Sequence, residues 1–83
     1  ALAATHDVKL APHSPYFGPG LIATMHIAAA AGGDVAVERY FCDLEPGPLG
    51  DAVNAVEGRF VLPNAPGLGI DIDEALLARY RVG

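Results

Sequence analysis

Basic charge is scarce in this 83-residue sequence: Lys and Arg number 5 against 10 Asp and Glu, a net charge of −5. Neutralising nucleic-acid phosphates takes clustered cations, and these five are scattered, so no nucleic-acid partner is expected. Cysteine is nearly absent. Cys42 stands alone, which excludes an internal disulfide, a cysteine-based zinc site and a secreted disulfide scaffold, and makes a reducing, cytoplasmic setting the expectation. Long apolar runs are missing too. Residues 10–33 carry no Asp, Glu, Lys or Arg, but prolines and glycines interrupt them, and the continuous apolar part, residues 21–31, falls short of the roughly 20 residues a membrane span needs. No basic segment opens the sequence, so neither a signal peptide nor a membrane partner is expected.

Chain breakers, by contrast, are abundant: 10 Gly and 7 Pro, roughly a fifth of the chain where about an eighth is usual. The sequence is nonetheless 52% hydrophobic, with a mean hydropathy of +0.32. A chain of this length buries only roughly 60–65% of its unfolded surface, and two independent domains are excluded. Greasy composition combined with so many breakers, and a start at Ala1 rather than methionine, make a piece of a larger protein the expectation.

Residues 1–5 read as the tail of a helix. Residues 8–12 alternate and close on Pro12, the pattern of a short strand. Two prolines and two glycines make residues 13–20 a loop. Residues 21–31 hold strong helix formers, apolar on nearly all sides, which predicts a helix packed on most of its surface and stopped by a left-handed cap at Gly32-Gly33. Residues 35–41 are β-branched and aromatic and read as a second strand. Strand, loop, helix and strand form one βαβ unit with parallel strands and a right-handed crossover. Beyond it come a loop with a short helical turn after residue 50, a short strand over 58–63, a turn over 64–69, and a last helix to about Tyr80. Asp71 and Glu74 form a capping box for that helix, with Ile72, Leu76, Leu77 and Tyr80 on its buried side.

His13 stands where the first strand ends, the edge at which α/β sheets bind ligands, and Glu38 falls late in the second strand. Adjacent parallel strands bring both side chains to one edge; otherwise they are a hydrogen-bonded loop histidine and a surface glutamate. Ser14 follows His13 directly, but neighbours on an extended chain face opposite ways, which argues against a Ser/His nucleophile pair. Gly18-Pro19-Gly20 with Ala23 matches the dinucleotide fingerprint, and Glu38 has the spacing of its ribose ligand. Residues 13–17 intervene between strand and first glycine, however, where the fingerprint needs them adjacent. The glycines otherwise serve a tight turn into a helix whose N-terminus attracts anions. His26 reads as a packed or surface histidine, and His6 as a solvated turn residue. The acids at Asp71, Asp73 and Glu74 lack calcium-loop spacing.

Ala11-Pro12-His13-Ser14 with Gly18-Pro19-Gly20, and Pro66-Gly67-Leu68-Gly69-Ile70-Asp71 with Tyr80, resemble the C-terminal part of an enolase-superfamily enzyme of the mandelate racemase/muconate lactonizing enzyme family. Within it, the sequence is most similar to acid-sugar dehydratases of the tartrate type. The resemblance implies an α/β fold class: the C-terminal portion of a modified (β/α)-barrel, with residues 1–42 as its final part. Residues 43–83 then form the segment returning to an α+β capping domain. It further implies that His13 is the acid or base at the end of strand seven and that Glu38, at the end of strand eight, hydrogen-bonds the substrate carboxylate. Ser14 and Tyr16 become candidate substrate contacts. The cofactor implied is Mg²⁺, with its three carboxylate ligands, a lysine base and the aspartate partner of the histidine all upstream of this chain.

The expected function is therefore part of a Mg²⁺-dependent acid-sugar dehydratase, removing the proton beside a carboxylate and then the neighbouring hydroxyl. An imidazole suits proton delivery to departing hydroxide, and a Glu38 kept protonated by burial would donate to the substrate. The implied partners are a small carboxylate substrate, the remainder of the enzyme chain, and further copies in a homo-oligomer; the 83 residues alone are expected to be inactive. A racemase or epimerase is the nearest alternative, since the same histidine can return the proton to carbon. A non-catalytic structural module is the alternative of another class.

Overall fold

The computed structural model describes residues 1–14, 17–42 and 47–83. In chain order it contains α1 (Leu2–Thr5), α2 (Pro19–Ala31), a 3₁₀ turn (Gly50–Val53) and α3 (Glu74–Arg79). α1 ends in a Schellman arrangement: Val8 N–H donates to Ala3 O at 2.9 Å and Asp7 N–H to Ala4 O at 3.4 Å. Asp7 takes the left-handed place at φ 52° that glycine usually fills.

α2 is the organising element. Gly18 precedes it in extended conformation and Pro19 occupies its first turn, where a missing N–H costs nothing because that group has no helical partner. The helix thus starts two residues before the sequence pattern indicates. It stops where expected, with Gly32 at φ 77° and Gly33 at φ 74°. Gly32 has ψ 161°, however, so the chain leaves extended rather than through a left-handed cap. Leu21, Ile22 and Met25 meet Val53 of the 3₁₀ turn and Leu49 just before it, with Val37, Phe60 and Ile70 packed around them. Each such side chain contributes roughly 1.5–3 kcal/mol on full burial, so this cluster is the main apolar bond between α2 and the later segments.

Two polar side chains interrupt the apolar sequence of α2, and both bond outside the helix. Thr24 meets the loop at Ser14, and His26 Nε2 lies 3.1 Å from Leu68 O, tying α2 to the 64–69 turn. Residues 35–40 are held against the 3₁₀ turn by Arg39, whose guanidinium donates to Val53 O at 3.4 Å and to Asn54 Oδ1 at 3.3 Å. Val35, Val37 and Arg39 are half-buried while Ala36, Glu38 and Tyr40 are exposed, a period of two that places Glu38 on the open side.

The expected parallel pairing of residues 8–12 with 35–41 is not formed. Among the described residues the sole β bridge joins Val56 to Arg59, closing a two-residue turn with Glu57 at φ 50° and Gly58 at φ 74°. The strand read over 58–63 is reduced to that one bridge. Two short parallel segments are too few to hold a ladder, because sheets of this kind gain stability from three or more strands and a covered face. For the same reason the covering of α2 is one-sided. Leu21, Ile22, Met25 and Ala28 are buried whereas Ile27 is 64% exposed, so the expected packing on most sides is absent.

The last helix also departs from its pattern. Asp73, not Asp71, caps α3, accepting from Leu76 N–H at 2.9 Å, because Asp73 N–H is drawn out of the helix to Pro48 O at 3.0 Å. Of the four residues expected on a buried side only Leu76 is half-buried; Ile72, Leu77 and Tyr80 are exposed.

Candidate active site around His13 and Glu38

The loop after residue 12 and the segment after residue 34 converge at one point. His13 Nδ1 contacts Glu38 Oε2, with the two side chains 78% and 46% exposed. Ser14 N–H donates to the same Glu38 oxygen at 3.3 Å. Two consecutive residues of the loop therefore grip one carboxylate oxygen, and the imidazole is engaged through Nδ1. Facing a carboxylate acceptor, Nδ1 carries the proton, which leaves Nε2 as the ring nitrogen available to a reacting molecule.

His13 and Ser14 face opposite ways, as expected of neighbours on an extended chain. His13 lies on the open side, while Ser14 is completely buried and donates from Oγ to Thr24 Oγ1 at 2.9 Å. Thr24 in turn donates to Gly20 O at 3.0 Å, leaving a lone pair to receive the serine proton. The Ser14 hydroxyl is thus committed to α2. Tyr16 lies outside the described residues. The Glu38 side chain is 46% exposed in this chain, and its Oε2 accepts from Ser14 N–H.

Beyond the pair lies an aromatic stack that the sequence pattern did not single out. Phe17 and Tyr40 have centroids 5.6 Å apart, and Tyr40 and Phe41 5.7 Å. Tyr40 follows Glu38 by two residues and shares its side of the segment, which is the signal that would have found it. Phe41 is 94% exposed.

A separate groove of about 660 Å³ runs between the end of α2 and the turn around Gly58, lined by Met25, Ala28, Val35, Val37, Arg59 and Phe60 among others. It contains neither His13 nor Glu38. Its charged pair, Arg59 and Asp34 at 3.5 Å, is exposed at 79% and 94% and contributes little. Convergent polar groups make the His13–Glu38 corner the candidate site. Among the described residues no group of three or more His, Cys, Asp or Glu is placed to hold a metal ion, and no helix is long and apolar enough to cross a membrane.

The chain is 34% identical over 85 aligned residues to the D-galactonate dehydratase of Ralstonia pickettii (strain 12J), an alignment covering 93% of this chain and 22% of that protein. It therefore spans about a fifth of the length of that curated relative. No solved structure matches. The model of the enolase C-terminal domain-like family matches residues 1–76, nearly the whole sequence, and the chain belongs to that family, with its α/β, barrel-related fold and a relation to acid-sugar dehydratases.

Proposed function

We propose that this chain supplies the proton-transfer edge of an acid-sugar dehydratase acting on a 2,3-dihydroxy carboxylate. The observation that carries the reading is the meeting of His13 and Glu38, two groups of acid–base chemistry on loops flanking one helix, in a chain related to a dehydratase. In this reading His13 works as the imidazolium, with Nδ1–H held by Glu38 and the Nε2 proton given to the departing hydroxyl. With Oε2 occupied by His13 and Ser14, the other carboxylate oxygen of Glu38 suits a substrate hydroxyl. A base outside the described residues takes the proton beside the substrate carboxylate. The bond from the neighbouring carbon to its hydroxyl then breaks, His13 gives that oxygen its proton to release water, and the enol left behind tautomerises to a 2-keto-3-deoxy acid.

Enolase-superfamily enzymes typically use Mg²⁺, but the described residues do not fit a site for it. In this reading its ligands, and the base, belong to other parts of the full-length protein, which is the first partner of this chain. The reading is tested by incubating the full-length protein with a panel of sugar acids, D-galactonate included, and following products by NMR. The expected product has lost water and gained a ketone. A product that keeps its hydroxyls and is inverted beside the carboxylate identifies a racemase or epimerase instead, and no conversion of any acid leaves the non-catalytic reading.

A further inference from the structure

We infer that Thr24 is a positioning residue for His13, acting through the buried hydroxyl of Ser14; this deepens the dehydratase reading and rests on it for its kinetic arm. Ser14 is fully buried, so its hydroxyl has no solvent to turn to, and its acceptor is Thr24 Oγ1 at 2.9 Å. Thr24 is anchored in its own turn by the bond to Gly20 O at 3.0 Å, which fixes where its free lone pair points. Ser14 is thereby held in one orientation, and its backbone N–H, directed at Glu38 Oε2, is held with it. His13 is the preceding residue and engages the same oxygen. A chain of bonds thus runs from the first turns of α2, through a buried hydroxyl, to the carboxylate that orients the imidazole.

The physical consequence is specific. Valine at position 24 matches threonine in shape but offers no acceptor, so a buried serine hydroxyl is left without a partner. The serine relieves this by turning or shifting, and either movement takes Ser14 N–H and the His13 ring off Glu38. Misplacement of a reacting group by about 1 Å can cost on the order of 10²-fold in rate. The hydrogen bonds of Thr24 go to Ser14 and Gly20 rather than to the imidazole or Glu38, so its effect falls on turnover rather than substrate capture.

The test uses the full-length protein as wild type, Thr24→Val, Thr24→Ser and the double variant Ser14→Ala/Thr24→Val. Thr24→Val is expected to lower kcat about 10- to 100-fold with KM changed less than about twofold. Thr24→Ser keeps the hydroxyl and restores most of that loss. The double variant removes both hydroxyls of the pair, so its melting temperature recovers towards wild type while kcat stays low. Recovery of kcat together with stability in the double variant, or a wild-type kcat in Thr24→Val, overturns the assignment and leaves Thr24 a structural residue. Crystal structures of wild type and Thr24→Val give a readout independent of turnover: His13 is expected to leave Glu38 in Thr24→Val alone. An unmoved ring contradicts the positioning role even where the protein dehydrates no sugar acid, and a displaced ring beside an inactive wild type upholds the bond chain while rejecting the dehydratase reading.

Discussion

At His13 and Ser14, consecutive side chains divide between two environments: one open and paired with Glu38, the other buried against Thr24. That alternation was readable from the sequence, because opposite orientation of neighbours is a property of extended backbone. Thr24 was not readable in the same way. Its bond to Ser14 joins residues on different elements, and the visible signal is only that a polar side chain sits in an otherwise apolar helix. Positioned acid–base groups contribute roughly 10²- to 10⁴-fold to turnover. His13→Asn in the full-length enzyme should therefore lower kcat by that order with little change in KM. Glu38→Gln keeps the shape and an accepting oxygen but loses the charge facing the imidazole, so its loss of kcat should be the smaller of the two. Steady-state kinetics of the two variants side by side checks the order.

Elements defined by local chemistry were legible and those defined by distant partners were not. The stop of α2 at Gly32-Gly33, the 3₁₀ turn after residue 50 and the 64–69 turn depend on glycine and proline placed within a few residues. The cap of α3 depends instead on Pro48, whose carbonyl holds Asp73 N–H outside the helix; the spacing of Asp71 and Glu74 imitates a capping box without that information. Asp73→Ala should cost about 1 kcal/mol of local stability, read as faster amide exchange at Leu76 and Leu77, while Asp71→Ala leaves those amides unchanged. Gly69 offers a sharper case. It has φ 76°, and a Cβ there would stand 2.7 Å from Pro63 Cβ and 3.0 Å from its carbonyl carbon, whereas Gly67, at φ 71°, has open space. Both alanine variants incur left-handed strain of about 1–2 kcal/mol. Only Gly69→Ala adds a clash with proline that cannot swing away, so denaturant unfolding of the two full-length variants should find it the less stable.

The whole molecule does not make a globule of its own. Its radius of gyration is 14.4 Å, against about 12 Å for a compact chain of this length. It exposes 6506 Å², where a compact monomer of its mass exposes roughly 4,700 Å². Ile27 and Phe41 stand in solvent, and the segments expected to pair as strands have no ladder to join. These features explain why a barrel fold that the family match supports is scarcely visible in the described residues: parallel strands gain their order from neighbours on both sides and from helices covering them. The 83 residues in isolation should accordingly bind a hydrophobic dye and melt without a cooperative heat-capacity peak; a sharp calorimetric transition would show that the small cluster on α2 suffices. The central claim, that His13 transfers the proton that releases water from a sugar acid, is tested most directly in the full-length protein by comparing wild type with His13→Asn on the same sugar-acid panel. The account predicts a dehydrated keto product from wild type, and its loss by roughly 10²- to 10⁴-fold in the variant. Equal consumption of the sugar acids by wild type and variant would contradict it.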